Sequence, residues 1–376
     1  MCDRFVTFLL IARWASAIMA LLYHIRFLVF VDYGDVHDKT GLAKAFYFLT
    51  GLGHEAFAVF FVVDGILAGL VLRAHRSGFP AEGVVRGAVT RYAVALYRIL
   101  LPALALGAAC DVAGSSWFDA TGLYTNFPAF STLTLSHAAL LGNALMLQPV
   151  LVPTFGSNGM LYLLSWLFWS FVLLVLLRIS GIARPLLLTA IVVVLPWEFL
   201  AWAATWVAGV AVVALGTVSR WRPAPALGAA LLVAALLLSR LAGADTGLVP
   251  QPVGTWLAGS TYLLVGLAFV VLAWSLYPDP GGTSHEGVRA AVLGMADSPS
   301  GQAAAFSFFG HFPVMMLLTG IGATLLDAPL MQQPTPFAGA AFASLAVLCL
   351  GITALVGRTI APGVGSTVRR RPGMSV

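Results

Sequence analysis

Long uninterrupted apolar runs constrain this chain more than any other feature. We count ten candidate spans, each long enough to cross about 30 Å of hydrocarbon as a helix. They lie near residues 5–30, 54–72, 91–110, 159–177, 185–199, 201–218, 224–241, 256–277, 303–325 and 337–357. The runs are continuous rather than alternating, which argues against a β-barrel. The sequence therefore predicts an all-α, polytopic membrane bundle of about ten transmembrane helices.

Composition agrees with a chain that is dissolved in lipid. Only 9% of the residues are charged and 60% are hydrophobic, whereas about a quarter of a soluble domain is charged. The fifth and sixth runs are separated by almost nothing around Glu198, so one of them should be short or tilted. The net charge of +5 comes from arginines scattered over short loops, which gives no case for nucleic-acid binding.

The placement of charge predicts the orientation. Arginines collect on one set of loops: Arg73, Arg76, Arg86 and Arg91; Arg178 and Arg184; Arg220 and Arg222; and Arg358, Arg369, Arg370 and Arg371. The other set carries Asp32, Asp35, Asp38, Asp111, Asp119 and Asp327, with only Lys39, Lys44 and Arg240 as cations. The positive-inside rule then places both termini in the cytoplasm of a multi-pass plasma-membrane protein, as an even span count requires.

The chain divides into one membrane domain, residues 1–362, and a basic cytoplasmic tail, residues 363–376. Its longest extramembrane stretch is the outer loop region 111–158. The apolar half of that region, 138–152, is short for a span, so we interpret it as a re-entrant or interfacial helix. The region either docks a polar acceptor or simply caps the bundle. The first span follows the N-terminus closely, which favours a retained anchor over a cleaved signal peptide.

The three cysteines indicate neither a disulfide nor a metal site. Cys2, Cys110 and Cys349 are far apart, and their spacing suits neither a disulfide framework nor a metal site. We therefore expect no metal and no permanently bound cofactor.

Two ionisable residues, Arg13 and His24, interrupt the first apolar run. Eleven residues is almost three helical turns, so both project from nearly the same face, roughly 16 Å apart along the axis. A charged residue in hydrocarbon costs several kcal/mol unless it is paired or faces a cavity. The pair therefore indicates a polar path along this helix.

Depth estimates sort the polar residues of the spans into two layers. An inner layer would contain Arg13, Asp64, Arg98 and His311, and an outer layer His24, Arg26, His54 and Glu55. Structural interpretations remain open: an Arg13–Asp64 ion pair that fixes packing, an Arg98 that snorkels to the interface, a packed His311, and headgroup positions for Arg26 and His54.

Five segments, in order, resemble the acyltransferase-3 family of integral-membrane O-acyltransferases. RWASAIMALLYH carries the Arg–x10–His spacing of the family's first helix. The others are GHEAFAVFFVVDG (53–65), YRILLP (97–102), YLLSWLFWSF (162–171) and FFGHFPV (308–314). The resemblance covers most of the chain and implies acyl transfer to surface or secreted carbohydrates or metabolites. Arg13, His24 and His311 match the family pattern, as does Arg98 with one extra residue in its segment.

The chain departs from that pattern at four positions. Asp64 replaces a serine, Leu167 a glutamate, Tyr162 a tryptophan and Phe308 a tyrosine. The active site is therefore either divergent or degenerate.

The resemblance and the residues together suggest a mechanism. His24 would be the base for the incoming hydroxyl, or a transient acyl carrier, with Arg13 stabilising charge and Glu55 orienting the imidazole. Arg98, Arg91, His311 and Asp64 would contribute to binding the donor. That donor is cytoplasmic acyl-CoA, with acetyl as the favoured acyl group, and the acceptor is a carbohydrate or small molecule. The alternatives are a transporter or flippase for a polar or lipid-linked sugar, and a catalytically inactive relative.

Overall fold

The computed structural model describes residues 2–73, 82–125, 133–148, 150–179, 181–219, 221–242, 253–278, 285–327 and 329–362. The basic tail, Arg76 and Arg220 lie outside these ranges. Within them the chain is helical and contains no strand, only an isolated bridge between Phe30 and Gln332. Eight helices are long and apolar enough to cross a membrane. The protein is therefore a multi-pass membrane bundle, which confirms the predicted fold class.

Thirteen α-helices are present in the described ranges. They are α1 (Cys2–Val29), α2 (Gly41–Thr50), α3 (Gly53–Arg73), α4 (Glu82–Trp117), α5 (His137–Ala144), α6 (Leu161–Ile179), α7 (Arg184–Val194), α8 (Trp197–Val218), α9 (Pro225–Ala242), α10 (Val253–Leu276), α11 (His285–Asp297), α12 (Pro299–Leu326) and α13 (Pro336–Thr359). We call the end where α1 begins the inner end, and the opposite end the outer end.

Paired contacts give the directions of neighbouring helices. On α1 and α12, Trp14 donates to Ser300 at 3.0 Å and His24 lies 2.9 Å from His311, so these two helices are parallel. On α12 and α13, Thr353 donates to Ser307 at 3.0 Å, and Cys349, one turn earlier, contacts the carbonyl of His311. α13 is therefore antiparallel to α12 and ends at the inner end, where α1 begins.

The short helix α7 is a return crossing. Trp166 contacts Phe199 at 6.0 Å and Phe171 contacts Trp206 at 6.4 Å, so α6 and α8 are parallel. The chain between them must therefore travel from one end of the bundle to the other. The 11 residues of α7 span only about 16 Å, and the extended residues before α8 add the rest. None of its side chains is buried, as expected for a helix that faces lipid.

The apolar segment of the outer loop region is re-entrant. Helix α5 begins beside the outer end, where the amide of Gly156 donates to Thr134. Its last carbonyl, at Ala144, accepts from Tyr97, which lies fourteen residues, roughly 21 Å, before Asp111 on α4. The indole of Trp169 donates to the next turn, at Met146, from inside α6. We call residues 136–148 and 150–156 the re-entrant hairpin.

Two amphipathic helices, α2 and α11, were not predicted from the sequence. α11 buries Val288, Val292 and Met295 against the inner ends of α1 and α3. Because Trp14 is level with Ser300, α12 starts beside the middle of α1 rather than at the inner surface. The break between α11 and α12, where Ser298 caps the amide of Gly301, thus lies inside the bundle.

Small residues let α3 and α8 approach closely. Gly65 lies directly against the carbonyl of Trp206, and Gly209 against that of Val62. Such small-residue contacts drive helix packing in membranes, where apolar burial gives no preference between helices and lipid. The close approach also places the Trp206 indole beside Asp64.

Candidate functional site

Two histidines from distant parts of the sequence meet near the outer end. His24 Nδ1 lies 2.9 Å from His311 Nε2, within hydrogen-bond distance. His311 is fully buried and His24 is half-buried. The parallel packing of α1 and α12 produces this meeting, because the Trp14–Ser300 contact sets the register ten residues earlier.

The hydrogen bonds define the tautomers of both rings. His311 Nδ1 lies 2.8 Å from the carbonyl oxygen of Ser307, which can only accept. In the neutral ring, Nδ1 of His311 is therefore the donor and its Nε2 the acceptor. His24 must then donate from Nδ1, which leaves a lone pair on its Nε2. The chain Ser307–His311–His24 is thus arranged to hold one neutral imidazole with its lone pair on Nε2.

Aromatic rings surround this pair. Phe57 and Phe312 lie 6.2 Å and 5.3 Å from the His24 ring, and Tyr23 packs against it edge-on. His54 stacks on Tyr262 at 4.9 Å and also contacts Tyr23 and Phe57, the rings that pack against His24. The outer layer of the sequence analysis therefore exists, but His54 belongs to its rim.

The inner-layer placement of His311 was wrong. The predicted depth of His311 was counted from the inner surface, where the ninth span was expected to start. The structure starts α12 level with Trp14, so His311 lies level with His24. Its position beside His24 is therefore a consequence of the helix break before Pro299.

Glu55 does not orient His24. Its carboxylate accepts from Ser239 Oγ at 2.7 Å, and Ser239 lies 3.0 Å from Thr261. Glu55 therefore belongs to a buried polar network between α3, α9 and α10. His311 occupies the orienting position that the depth estimate had given to Glu55.

The expected Arg13–Asp64 ion pair is not formed. Asp64 Oδ2 instead accepts from the Tyr92 hydroxyl and from the Trp206 indole at 2.9 Å. Arg13 lies over Phe60, 5.6 Å from the ring centroid, and its Nε and Nη1 have no hydrogen-bond partner within the described chain. The sequence could not reveal this arrangement, because Tyr92 and Trp206 reach Asp64 only through tertiary packing.

The inner cluster contains Arg13, Asp64, Arg98 and Asp297. Arg98 pairs with Asp297 at 3.4 Å in a half-exposed position, and both Asp64 and Asp297 are electrostatic neighbours of Arg13. Arg91 is exposed and lies about two helical turns before Arg98, nearer the inner end. The N-terminus of α12 lies in the same region, and the positive end of a helix dipole favours anions.

A layer of stacked phenylalanines separates the two clusters. Phe60 stacks on Phe308 at 4.0 Å with an interplanar angle of 7°, and Phe308 contacts Phe57 at 5.6 Å. Phe60 and Phe308 are almost completely buried. The polar path predicted along α1 is therefore closed in this conformation, with Arg13 below the layer and His24 above it.

Several residues of the site were missed in the sequence. Ser307 precedes His311 by four residues on one helix, a spacing that could have suggested the Nδ1 bond. Tyr92, Trp206, Ser239 and Asp297 gave no local signal. Leu167, at the position where the family resemblance expected a glutamate, is a fully buried core residue.

Comparisons with known proteins add no relative. No protein-family model matches the chain, and searches among curated proteins and among solved structures found no match. The resemblance to the acyltransferase-3 family therefore rests on the five sequence segments alone.

Proposed function

We propose that this chain is a membrane-embedded O-acyltransferase with His24 as its general base. The observation that carries the proposal is the hydrogen-bonded chain Ser307–His311–His24, which leaves His24 Nε2 as a free lone pair. An orienting group behind a basic imidazole is the arrangement that acyl-transfer enzymes use to activate a hydroxyl.

The reaction would follow from these positions. His24 Nε2 removes the proton of an acceptor hydroxyl as its oxygen forms a bond to the thioester carbonyl carbon. The carbon–sulfur bond then breaks, and the departing thiolate takes the proton back from His24. The positive charge on His24 is shared with His311, whose Nε2 accepts a stronger, charge-assisted hydrogen bond.

Donor binding is assigned to the inner cluster. A buried guanidinium with two unpartnered nitrogens is costly, about 1–3 kcal/mol for each unsatisfied group, so Arg13 is poised for an anionic or carbonyl ligand. Arg98 and the exposed Arg91 lie nearer the inner end, where the phosphates of acyl-CoA would enter. The Phe60–Phe308 layer must move aside for the thioester to reach His24.

The family resemblance supports the remaining parts of the proposal. It implies a plasma-membrane enzyme with cytoplasmic termini, acyl-CoA as donor, and a carbohydrate or metabolite as acceptor. Asp64 departs from the family pattern and serves in the inner cluster as an acceptor for Tyr92 and Trp206, beside the donor rather than in contact with it.

A transporter for a polar or lipid-linked sugar is the second candidate. The observation that favours it is the closed Phe60–Phe308 layer between two polar clusters, because an occluded transport path has the same arrangement. Acyl transfer remains the first candidate because it requires a base with an available lone pair, which the His24–His311 hydrogen bond provides.

A labelled acyl-CoA assay on membranes tests the proposal. Wild-type membranes should move the label covalently onto an acceptor, and His24→Ala membranes should not. His54→Phe is the matched control, since it alters a neighbouring histidine that has no bond to His311. Uptake of an acceptor without covalent label in wild type would favour the transporter instead.

A further inference from the structure

Two buried polar side chains on helix α6, Trp166 and Ser170, have no hydrogen-bond partner among the described residues. Tyr162, Trp166 and Ser170 follow one another at four-residue spacing, so they form a row on one face. Ser165 and Trp169, on other faces of the same helix, are both bonded to Met146. The unpartnered groups therefore belong to one face of α6.

The re-entrant hairpin and the turn before α6 extend this row. Asn158 is 1% exposed, and neither its Oδ1 nor its Nδ2 has a partner in the described residues. Gln148 is equally buried; its Nε2 donates to Leu161 at 3.1 Å, while its Oε1 accepts nothing there. Each such group costs about 1–3 kcal/mol when it is left unsatisfied. Four such residues lie along or beside one helix, and a bound polar ligand would satisfy all of them.

The row lies beside the proposed base. Trp166 contacts Phe199 on α8, and one turn later Trp202 contacts Phe57, the ring that lies against His24. Tyr162 and Tyr23, the neighbour of His24 in sequence, are also close enough to interact electrostatically. The outer part of the row, Tyr162 and Trp166, therefore lies near His24. Ser170 lies deeper, beside Phe171, which stacks on Tyr92 at 4.1 Å.

The chemistry of the row selects the ligand class. Asn158 offers donors and an acceptor, Gln148 an acceptor, Trp166 a donor, and Ser170 both. None of these groups is charged, which disfavours phosphates, carboxylates and amines. The nearby Glu198 is exposed at the outer rim. Paired donors and acceptors beside aromatic rings match a neutral polyhydroxylated molecule.

We propose that Asn158, Gln148 and Trp166 bind a neutral carbohydrate, with the row on α6 as its binding wall. The inference rests on the proposed function in one respect, namely that this carbohydrate is the acyl acceptor. Leu161 to Trp166 covers about 7.5 Å along the axis of α6, and Asn158 lies in the turn before the helix, so the wall is long enough for at least one sugar ring. The sugar would enter from the outer end and present a hydroxyl to His24.

Equilibrium binding of radiolabelled glucose, N-acetylglucosamine and maltose to the purified full chain in nanodiscs tests the proposal. At least one of these sugars should bind saturably. Trp166→Phe keeps the ring but loses the N–H, so it should weaken binding roughly three- to tenfold without lowering Tm. Asn158→Leu should abolish binding and raise Tm, because an unsatisfied amide is replaced by an apolar group of similar shape.

Trp169→Phe is the control on the same helix. It removes a bond that the protein uses, at 2.7 Å to Met146, so it should lower Tm and leave sugar binding unchanged. The inference is overturned if no sugar binds, or if Trp166→Phe and Asn158→Leu bind as well as wild type. Sugar binding with this pattern but no acyl transfer would refute the proposed function alone. Acyl transfer with an unchanged acceptor KM in both variants would refute the binding wall alone.

Discussion

A His311→Phe variant separates the orienting role of His311 from the base role of His24. Phenylalanine keeps a ring of similar size in a fully buried position. It removes the acceptor for His24 Nδ1–H and the donor for the Ser307 carbonyl, at 2.9 Å and 2.8 Å. His24 then loses the side-chain acceptor of its Nδ1–H, and His311 no longer shares its charge after it takes a proton.

The decrease in kcat of His311→Phe follows from the strength of the hydrogen bond between His311 and His24. A neutral hydrogen bond contributes about 0.5–1.5 kcal/mol and a charge-assisted one about 1.5–3 kcal/mol. The bond between His311 and His24 therefore strengthens by about 1–1.5 kcal/mol when His24 is protonated. Losing that difference lowers kcat roughly tenfold. Loss of the tautomer preference adds to it, so we expect a decrease in kcat between about tenfold and 10³-fold.

The assay is label transfer from acyl-CoA by purified protein, with kcat and KM measured separately. KM for the donor should stay near the wild-type value, because His311 lies above the phenylalanine layer and away from Arg13. The variant should also lose about 2–4 kcal/mol of stability from one unpaired donor and one unpaired acceptor, so Tm is measured on the same sample.

Comparison with His24→Ala supplies the refutation. If His311 acts only by orienting His24, His311→Phe keeps a measurable kcat, whereas transfer is absent with His24→Ala. Wild-type kcat in His311→Phe, or a loss as complete as that of His24→Ala, would contradict the orienting role.

Three further predictions concern the inner cluster and the layer above it. Arg98→Ala should change stability by no more than about 1 kcal/mol, since its ion pair with Asp297 is half-exposed. The same variant should raise the KM for acyl-CoA. An unchanged KM would remove Arg98 from the donor site. Asp64→Leu should lower the free energy of unfolding by about 2–4 kcal/mol, because it leaves Tyr92 and Trp206 without an acceptor. Asp64→Asn keeps an acceptor oxygen and should cost clearly less. Equal losses in the two variants would contradict the acceptor role of Asp64. Phe308→Ala should destabilise the protein by about 3–5 kcal/mol and release more CoA by hydrolysis in the absence of acceptor; unchanged hydrolysis would show that the layer does not exclude water.

The fold was predictable because apolar length alone determines which segments cross a bilayer. One of the two runs on either side of Glu198 was expected to be short or tilted, and α7 is short. The amphipathic helices α2 and α11 were not found, since they are short and carry polar residues that resemble loops. The depth of the re-entrant hairpin depends on bonds from Tyr97 and Trp169, which only packing reveals.

The candidate site was only partly predictable, for a related reason. Arg13 and His24 share one helix, so spacing alone predicted a common face. Partners on other helices depend on register: the position of Ser300 beside Trp14 moved His311 from the inner to the outer cluster. Ion pairing was also misjudged, because hydrogen-bond donors such as Tyr92 and Trp206 can satisfy a buried carboxylate without a cation.

The most direct test of the central claim is label transfer from acyl-CoA by purified wild type, His24→Ala and His54→Phe in nanodiscs, with outer-surface carbohydrate as acceptor. We expect covalent label on the acceptor with wild type and with His54→Phe, and none with His24→Ala although that variant remains folded. Transfer that persists in His24→Ala, or that is absent from folded wild type, would contradict it.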